Sequence, residues 1–165
     1  MSPRSPRRGR VIARLVLLTL LLTVVAGGRL AFPSYRVAGA SMAPTLADGQ
    51  RLLVNRLAYT VGEPHRGDLV VVKRGDLVVV KRVVALPGET VTVRDGVLTI
   101  DGTPLAESYL SLDERTECEG GAGCTVTVPA DAVYVLGDNR DASVDSRVFG
   151  PILLEVIIGE VVEFP

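Results

Sequence analysis

The chain has 165 residues, 47% of them hydrophobic, and a formal net charge of −1. That length suits one modest domain, or one domain plus an anchor, and a balance so near neutral argues against nucleic acid as a partner. Two cysteines and a single histidine, His65, make a poor zinc site, which wants four ligands.

The N-terminus opens on Arg4, Arg7, Arg8, Arg10 and Arg14 with no acid among them. Val11 to Gly28 is then almost wholly apolar, interrupted by Arg14 and closed by Arg29. The unbroken part, Leu15 to Gly28, is short against the roughly 20 residues of a bilayer span, although snorkelling arginines extend such a segment. A cleaved signal peptide and a retained anchor both fit the basic start and the small residues Ala26-Gly27-Gly28. A buried soluble helix fits poorly, because no face is polar. Either of the first two readings places the rest of the chain outside the cytoplasm.

Beyond the apolar segment, short β-branched runs alternate with Gly, Pro and Asp, the pattern of a mainly β domain. In TVRDGVLTIDG, Asp95-Gly96 predicts a tight hairpin turn. The octet RGDLVVVK occurs twice in tandem, at 66–73 and 74–81, and Arg74-Gly75-Asp76 between the copies predicts a second hairpin. Residues 101 to 128 are turn-rich and look like an excursion from the main sheet. They hold Cys118 and Cys124, which flank a short run with three glycines. In an exported domain that pair reads as a disulfide, two free thiols being the alternative.

Each octet ends in a lysine. Lys73 falls beside a turn and reads as a solvated strand end. Lys81 lies inside LVVVKRVVAL, residues 77–86, where both alternating faces are apolar, so the strand is expected to be buried on both. Burial lowers a lysine pKa, and a shift of roughly 3 units from about 10.4 makes the amine a usable general base near neutrality. Such a base invites a nucleophile, the alternative being a buried lysine paired with an acid. Ser41, in VAGASMAPTLADG, is one candidate, although a serine before a turn is commonly no more than that. A third cluster, Asp138 to Arg147, packs eight polar residues into ten positions between apolar flanks. Such groups must satisfy one another if they are tucked against the sheet. In that case Ser143 could bond the lysine amine, and Asp145 with Arg147 could form an ion pair that holds the loop.

In their order, these segments resemble the type I signal peptidases, membrane-anchored serine proteases with a Ser-Lys dyad. The matching stretches are the N-terminal segment, Ser41 to Leu46, Arg66-Gly67-Asp68, Lys81 to Glu89, and Gly137 to Arg147. The resemblance implies Ser41 as nucleophile, Lys81 as general base, and Ser143, Asp145, Arg147, Arg82 and Asp138 as supports. It implies substrate pockets lined by Val37, Ala38, Gly39, Met42 and Val80, with Gly39 standing where some members carry a serine that supplies a second oxyanion donor. It also favours the retained anchor. The implied fold is mainly β: a transmembrane helix, then a twisted antiparallel catalytic domain with a small inserted β region.

The expected layout is a cytoplasmic basic tail at 1–10, an anchor at 11–32 and an extracytoplasmic catalytic domain at 33–165, with the insertion near 95–130. The implied partners are the signal peptides of exported preproteins and the lipid bilayer, for a monomer without cofactor. The implied activity is cleavage after small residues of the Ala-X-Ala type. A specialised Ser-Lys maturation peptidase and a non-catalytic, membrane-anchored peptide-binding β module are the alternatives.

Overall fold

The computed structural model describes residues 6–111, 114–118 and 123–162. The first five residues of the basic tail, and residues 119–122 between the cysteines, lie outside the described residues.

Helix α1 spans Pro6–Ala31. Its segment Val11–Ala31 has 21 residues and a mean hydropathy of 2.3, and none of its described side chains is buried. At about 1.5 Å per residue this matches a hydrocarbon core of about 30 Å. Gly27 and Gly28 lie within the helix, and Arg29 occupies its last turn, where a cation complements the helix dipole. The chain then enters the domain directly, with Arg56 N donating to Ala31 O (2.9 Å) and Val54 N to Pro33 O (3.0 Å).

The domain is built from strands β1 (Ser34–Arg36), β2 (Arg51–Asn55), β3 (Leu69–Arg74), β4 (Leu77–Ala85), β5 (Thr90–Arg94), β6 (Val97–Ile100), β7 (Thr103–Pro104), β8 (Cys124–Thr127), β9 (Ala132–Leu136), β10 (Ile152–Leu153) and β11 (Ile157–Val162). Two one-turn helices, α2 (Ala58–Val61) and α3 (Ser146–Phe149), sit in the connections. The large antiparallel sheet has the order β1-β2-β11-β3-β4-β9-β10, and the small one β7-β6-β5-β8. The architecture is therefore mainly β, as the β-branched runs imply.

Both hairpins form where the turn residues put them. Asp95 and Gly96 take φ of 54° and 81° between β5 and β6, a conformation that favours Asp-Gly. Gly75 takes φ 60° between β3 and β4, so the two octets pair with each other, from Leu69 opposite Arg82 to Arg74 opposite Leu77. In β3 the run Leu69–Val72 is buried on both faces of the sheet. Val71 packs with Met42, Leu46, Leu52 and Val54 on one side, and Val70 and Val72 pack with Val83, Val133, Val135 and Ile152 on the other. A third cluster joins Val84, Ala85, Tyr134 and Leu136 of the large sheet to Val91, Val93, Leu98 and Ile100 of the small one. Each buried Val, Leu, Ile or Met among them contributes about 1.5–3 kcal/mol.

Strand β4 departs from the expectation of burial along its whole length. Leu77 and Val78 are 63% and 48% exposed, and burial begins only past Val80. The first half of β4 forms a hairpin that reaches beyond the core. Its strict alternation is also lost, because a register shift between Val83 and Ala85 against β9 inserts Val84 as an extra residue. Val83, Val84 and Ala85 are consequently all buried. Cys118 and Cys124 are joined by a disulfide at the start of β8, an edge strand of the small sheet.

Candidate active site

Ser41 sits in tight turns that follow β1. Ala43 N donates to Ala40 O (3.0 Å) and Leu46 N to Met42 O (2.9 Å). Met42 and Leu46, each 1% exposed, pin those turns into the core. Ser41 itself stays half-buried and lines a cavity of about 180 Å³. Val37, Ala38, Met42 and Val80, all expected to bind substrate, line that cavity too. Gly39 does not; it lies beside it with φ 94°, and its N–H is bonded to Asp48 Oδ1 (2.8 Å).

The duplicated lysines are sharply different. Lys73 is exposed at the end of β3. Lys81, opposite Val70 in the sheet, is 2% exposed and donates from Nζ to Ser143 Oγ at 3.0 Å. Burial lowers the Lys81 pKa below the ordinary lysine value; Asp145 pulls it back up, Arg147 pushes it further down, and Asp138 raises it.

Gly137, just past β9, links the lysine to the serine. A Cβ on this residue would lie 2.5 Å from Ser143 Cβ, and closer still to Ser143 Oγ and to the Ser41 carbonyl oxygen. Ser41 and Ser143 therefore press on the same glycine from two segments, and Lys81 reaches Ser143. Asn139 N donates to Ser41 O at 3.1 Å and fixes the third side.

A layer of ion pairs supports this centre. Asp145, wholly buried, accepts from Gly137 N (3.0 Å) and from Arg147 Nε (2.8 Å) and NH2 (2.9 Å). It also caps α3 through Arg147 N. Burial by itself would raise the Asp145 pKa, but the Arg147 and Gly137 hydrogen bonds, with the Arg147 charge and Ser143, hold it below the usual carboxylate value. Arg147 continues to the carbonyls of Arg140 (2.6 Å) and Ser143 (3.2 Å). On the opposite side Arg82 grips Asp138 with Nε (2.9 Å) and NH2 (2.6 Å), and donates to Gly67 O (2.9 Å). Its guanidinium stacks 4.0 Å from the centre of the Tyr109 ring. Thr45 donates to Asp138 Oδ2 at 2.5 Å, tying the serine turn to the polar loop.

The structure thus brings Ser41, Lys81 and Ser143 around Gly137, with Asp145–Arg147 and Arg82–Asp138 behind them. Several participants were not singled out by their side-chain chemistry. Thr45 and Gly137 stand inside the motif segments but carry no sequence mark of their contacts. Arg140, 2% exposed, bonds Glu107 (2.5 Å), Thr116 and Gly137 O (3.0 Å). Its acidic partner lies 33 residues away, beyond the reach of any local pattern.

A family model described as signal peptidase, peptidase S26, matches residues 9–164. Signal peptidase I T of Bacillus subtilis (strain 168) is 40% identical over 146 residues, which cover 84% of this chain and 73% of that protein. Signal peptidase I of Bacillus caldolyticus is 35% identical over 175 aligned positions, covering 98% and 92%. Among solved structures, a signal peptidase I from Enterococcus faecalis V583 superposes with a TM-score of 0.51 at 34% identity, over 62% of this chain and 99% of that one.

Proposed function

As the chain belongs to the signal peptidase family, peptidase S26, and is a serine endopeptidase acting on the signal peptides of exported preproteins, we propose that Ser41 is its nucleophile and Lys81 the general base. The observation that carries this is the convergence on Gly137: a buried lysine amine bonded to Ser143, with Ser41 packed against the same glycine. An amine desolvated by burial is neutral at a lower pH than an exposed one. Lys81 then accepts the Ser41 proton as Oγ attacks the scissile carbonyl. The Ser41 N–H stabilises the oxyanion. As the C–N bond breaks, Lys81 returns the proton to the departing amine. A water, deprotonated by Lys81, releases the acyl group from Ser41 and restores the starting state.

Ser143 orients the amine, and Asp145 with Arg147 fixes the loop that carries Ser143. Arg82 and Asp138, through Thr45, hold that loop to the serine turn. The cavity walls of Val37, Ala38, Met42 and Val80 accept small side chains at the first and third residues before the cut. Residues 11–32 anchor a monomer in the bilayer, with the basic tail in the cytoplasm and residues 33–165 outside. The small sheet and its disulfide form an insertion beside the catalytic sheet. The test is cleavage of a preprotein by purified Ser41→Ala enzyme. Loss of cleavage with an unchanged circular dichroism spectrum is expected, and substantial residual cleavage overturns the assignment.

A further inference from the structure

Strand β1 is the outer strand of the large sheet, and the residues after it lead directly to Ser41. Both amide groups of Val37 are engaged on the β2 side: its N–H donates to Gln50 O (2.9 Å) and its carbonyl accepts from Gly49 N (3.0 Å). Neighbouring residues of an extended strand direct their amides to opposite sides, so Arg36 and Ala38 present theirs to the open edge. A signal peptide added to that edge has two faces. The side chains one and three residues before the cut point to the apolar wall of Val37, Met42 and Val80. Those two and four residues before it point the other way, the face of β1 to which Arg36 belongs, opposite Tyr35 and Val37. Tyr35 and Val37 pack onto the core cluster around Met42, whereas Arg36 is exposed.

Among the described residues lining the cavity, Arg36 carries the only charge. Among the described residues its guanidinium has one partner, Gly49 O at 3.0 Å, and no carboxylate. Directly across the ladder stands Arg51, also exposed. Like charges facing each other on a ladder repel, and an anion placed beside them turns that repulsion into attraction.

We propose that Arg36, assisted by Arg51, reads charge in the substrate, favouring Asp or Glu and disfavouring Lys or Arg at the second or fourth residue before the cut. The proposal rests on Ser41 as nucleophile, which fixes where the cut lies. Full-length enzyme in neutral detergent is given Ala-X-Ala peptides carrying Asp, Asn or Lys at each of the two positions in turn, and kcat/KM is compared. The expected Asp-over-Lys ratio is about fivefold at one position at low salt, with Asn between, and it shrinks as salt rises. Arg36→Gln should bring the ratio most of the way to one, Arg36→Gln with Arg51→Gln the rest, and Arg36→Glu should invert it. Because each ratio is taken on a single preparation, a variant with lower overall activity still reports it. A ratio of one in the wild type, or a ratio undiminished in Arg36→Gln, overturns the proposal. So does an Arg36→Gln effect confined to binding of phosphatidylglycerol vesicles, which would assign the arginine pair to lipid. Cleavage by Ser41→Ala would instead overturn the nucleophile assignment, leaving the charge ratio as measured.

Discussion

Replacing Gly137 by alanine tests the geometry of the centre with the smallest possible perturbation. The added Cβ would stand 2.5 Å from Ser143 Cβ, where carbon atoms ordinarily stand about 3.5–4.0 Å apart, so a shift of about 1 Å is required. Neither neighbour yields easily: one is the Ser41 backbone carbonyl, and the other is a short side chain that already receives Lys81. Overpacking of this kind costs about 1–3 kcal/mol of stability, while a misplacement of about 1 Å at reacting groups costs on the order of 100-fold in rate. Gly159→Ala is the control. Its Cβ would meet the Asn55 carbonyl carbon at 2.9 Å, between β11 and β2. It should lose comparable stability with far less loss of activity per folded molecule. Urea unfolding and peptide cleavage, measured on both variants, separate the two effects. Equal activity per folded molecule in Gly137→Ala and wild type would refute the convergence of Ser41 and Ser143 on this glycine.

Asp145→Asn keeps the shape but removes the charge that pairs with Arg147, and should cost about 3–5 kcal/mol by denaturant unfolding, as expected for one half of a buried ion pair. The sign with pH follows from the depressed Asp145 pKa: the stability it contributes is complete above the ordinary carboxylate value of 3.8 and is lost as pH falls through its lower folded value. Wild type should therefore lose more stability than Asp145→Asn on acidification. Cleavage should rise with pH as Lys81 loses its proton, with a midpoint below the 10.5 of an ordinary lysine, and a midpoint at or above that value would contradict a desolvated base.

The parts of the fold legible in the sequence are those that local chemistry specifies. Asp95-Gly96 announces its turn because few residues tolerate positive φ. Lys81 separates from Lys73 because apolar residues continue beyond it, from Val83 to Leu86, whereas Lys73 runs into Arg74-Gly75. The same alternation overstates the burial of β4, because it cannot reveal that Leu77 and Val78, though paired with β3, extend past the packed core. Nor does it show the register shift at Val84, which depends on β9, nearly 50 residues later. Gly137 reads as one turn residue among many until Ser41, almost 100 positions earlier, is seen to press on it. Arg140 likewise sits in an acidic, solvent-like neighbourhood in sequence, yet is buried against Glu107 and Thr116.

The identical octets allow the most direct test of the Ser41–Lys81 dyad: cleavage of one signal-peptide substrate by Lys81→Ala and Lys73→Ala, side by side. Lys81 is buried on Ser143, and Lys73 is exposed at the end of β3. Loss of a general base should lower the rate by about 10²–10⁴-fold in Lys81→Ala, while Lys73→Ala should retain nearly full activity and lose no more than about 0.5 kcal/mol of stability, as for an ordinary surface substitution. An inactive Lys73→Ala beside an active Lys81→Ala would contradict the dyad and assign the chemistry to the other copy.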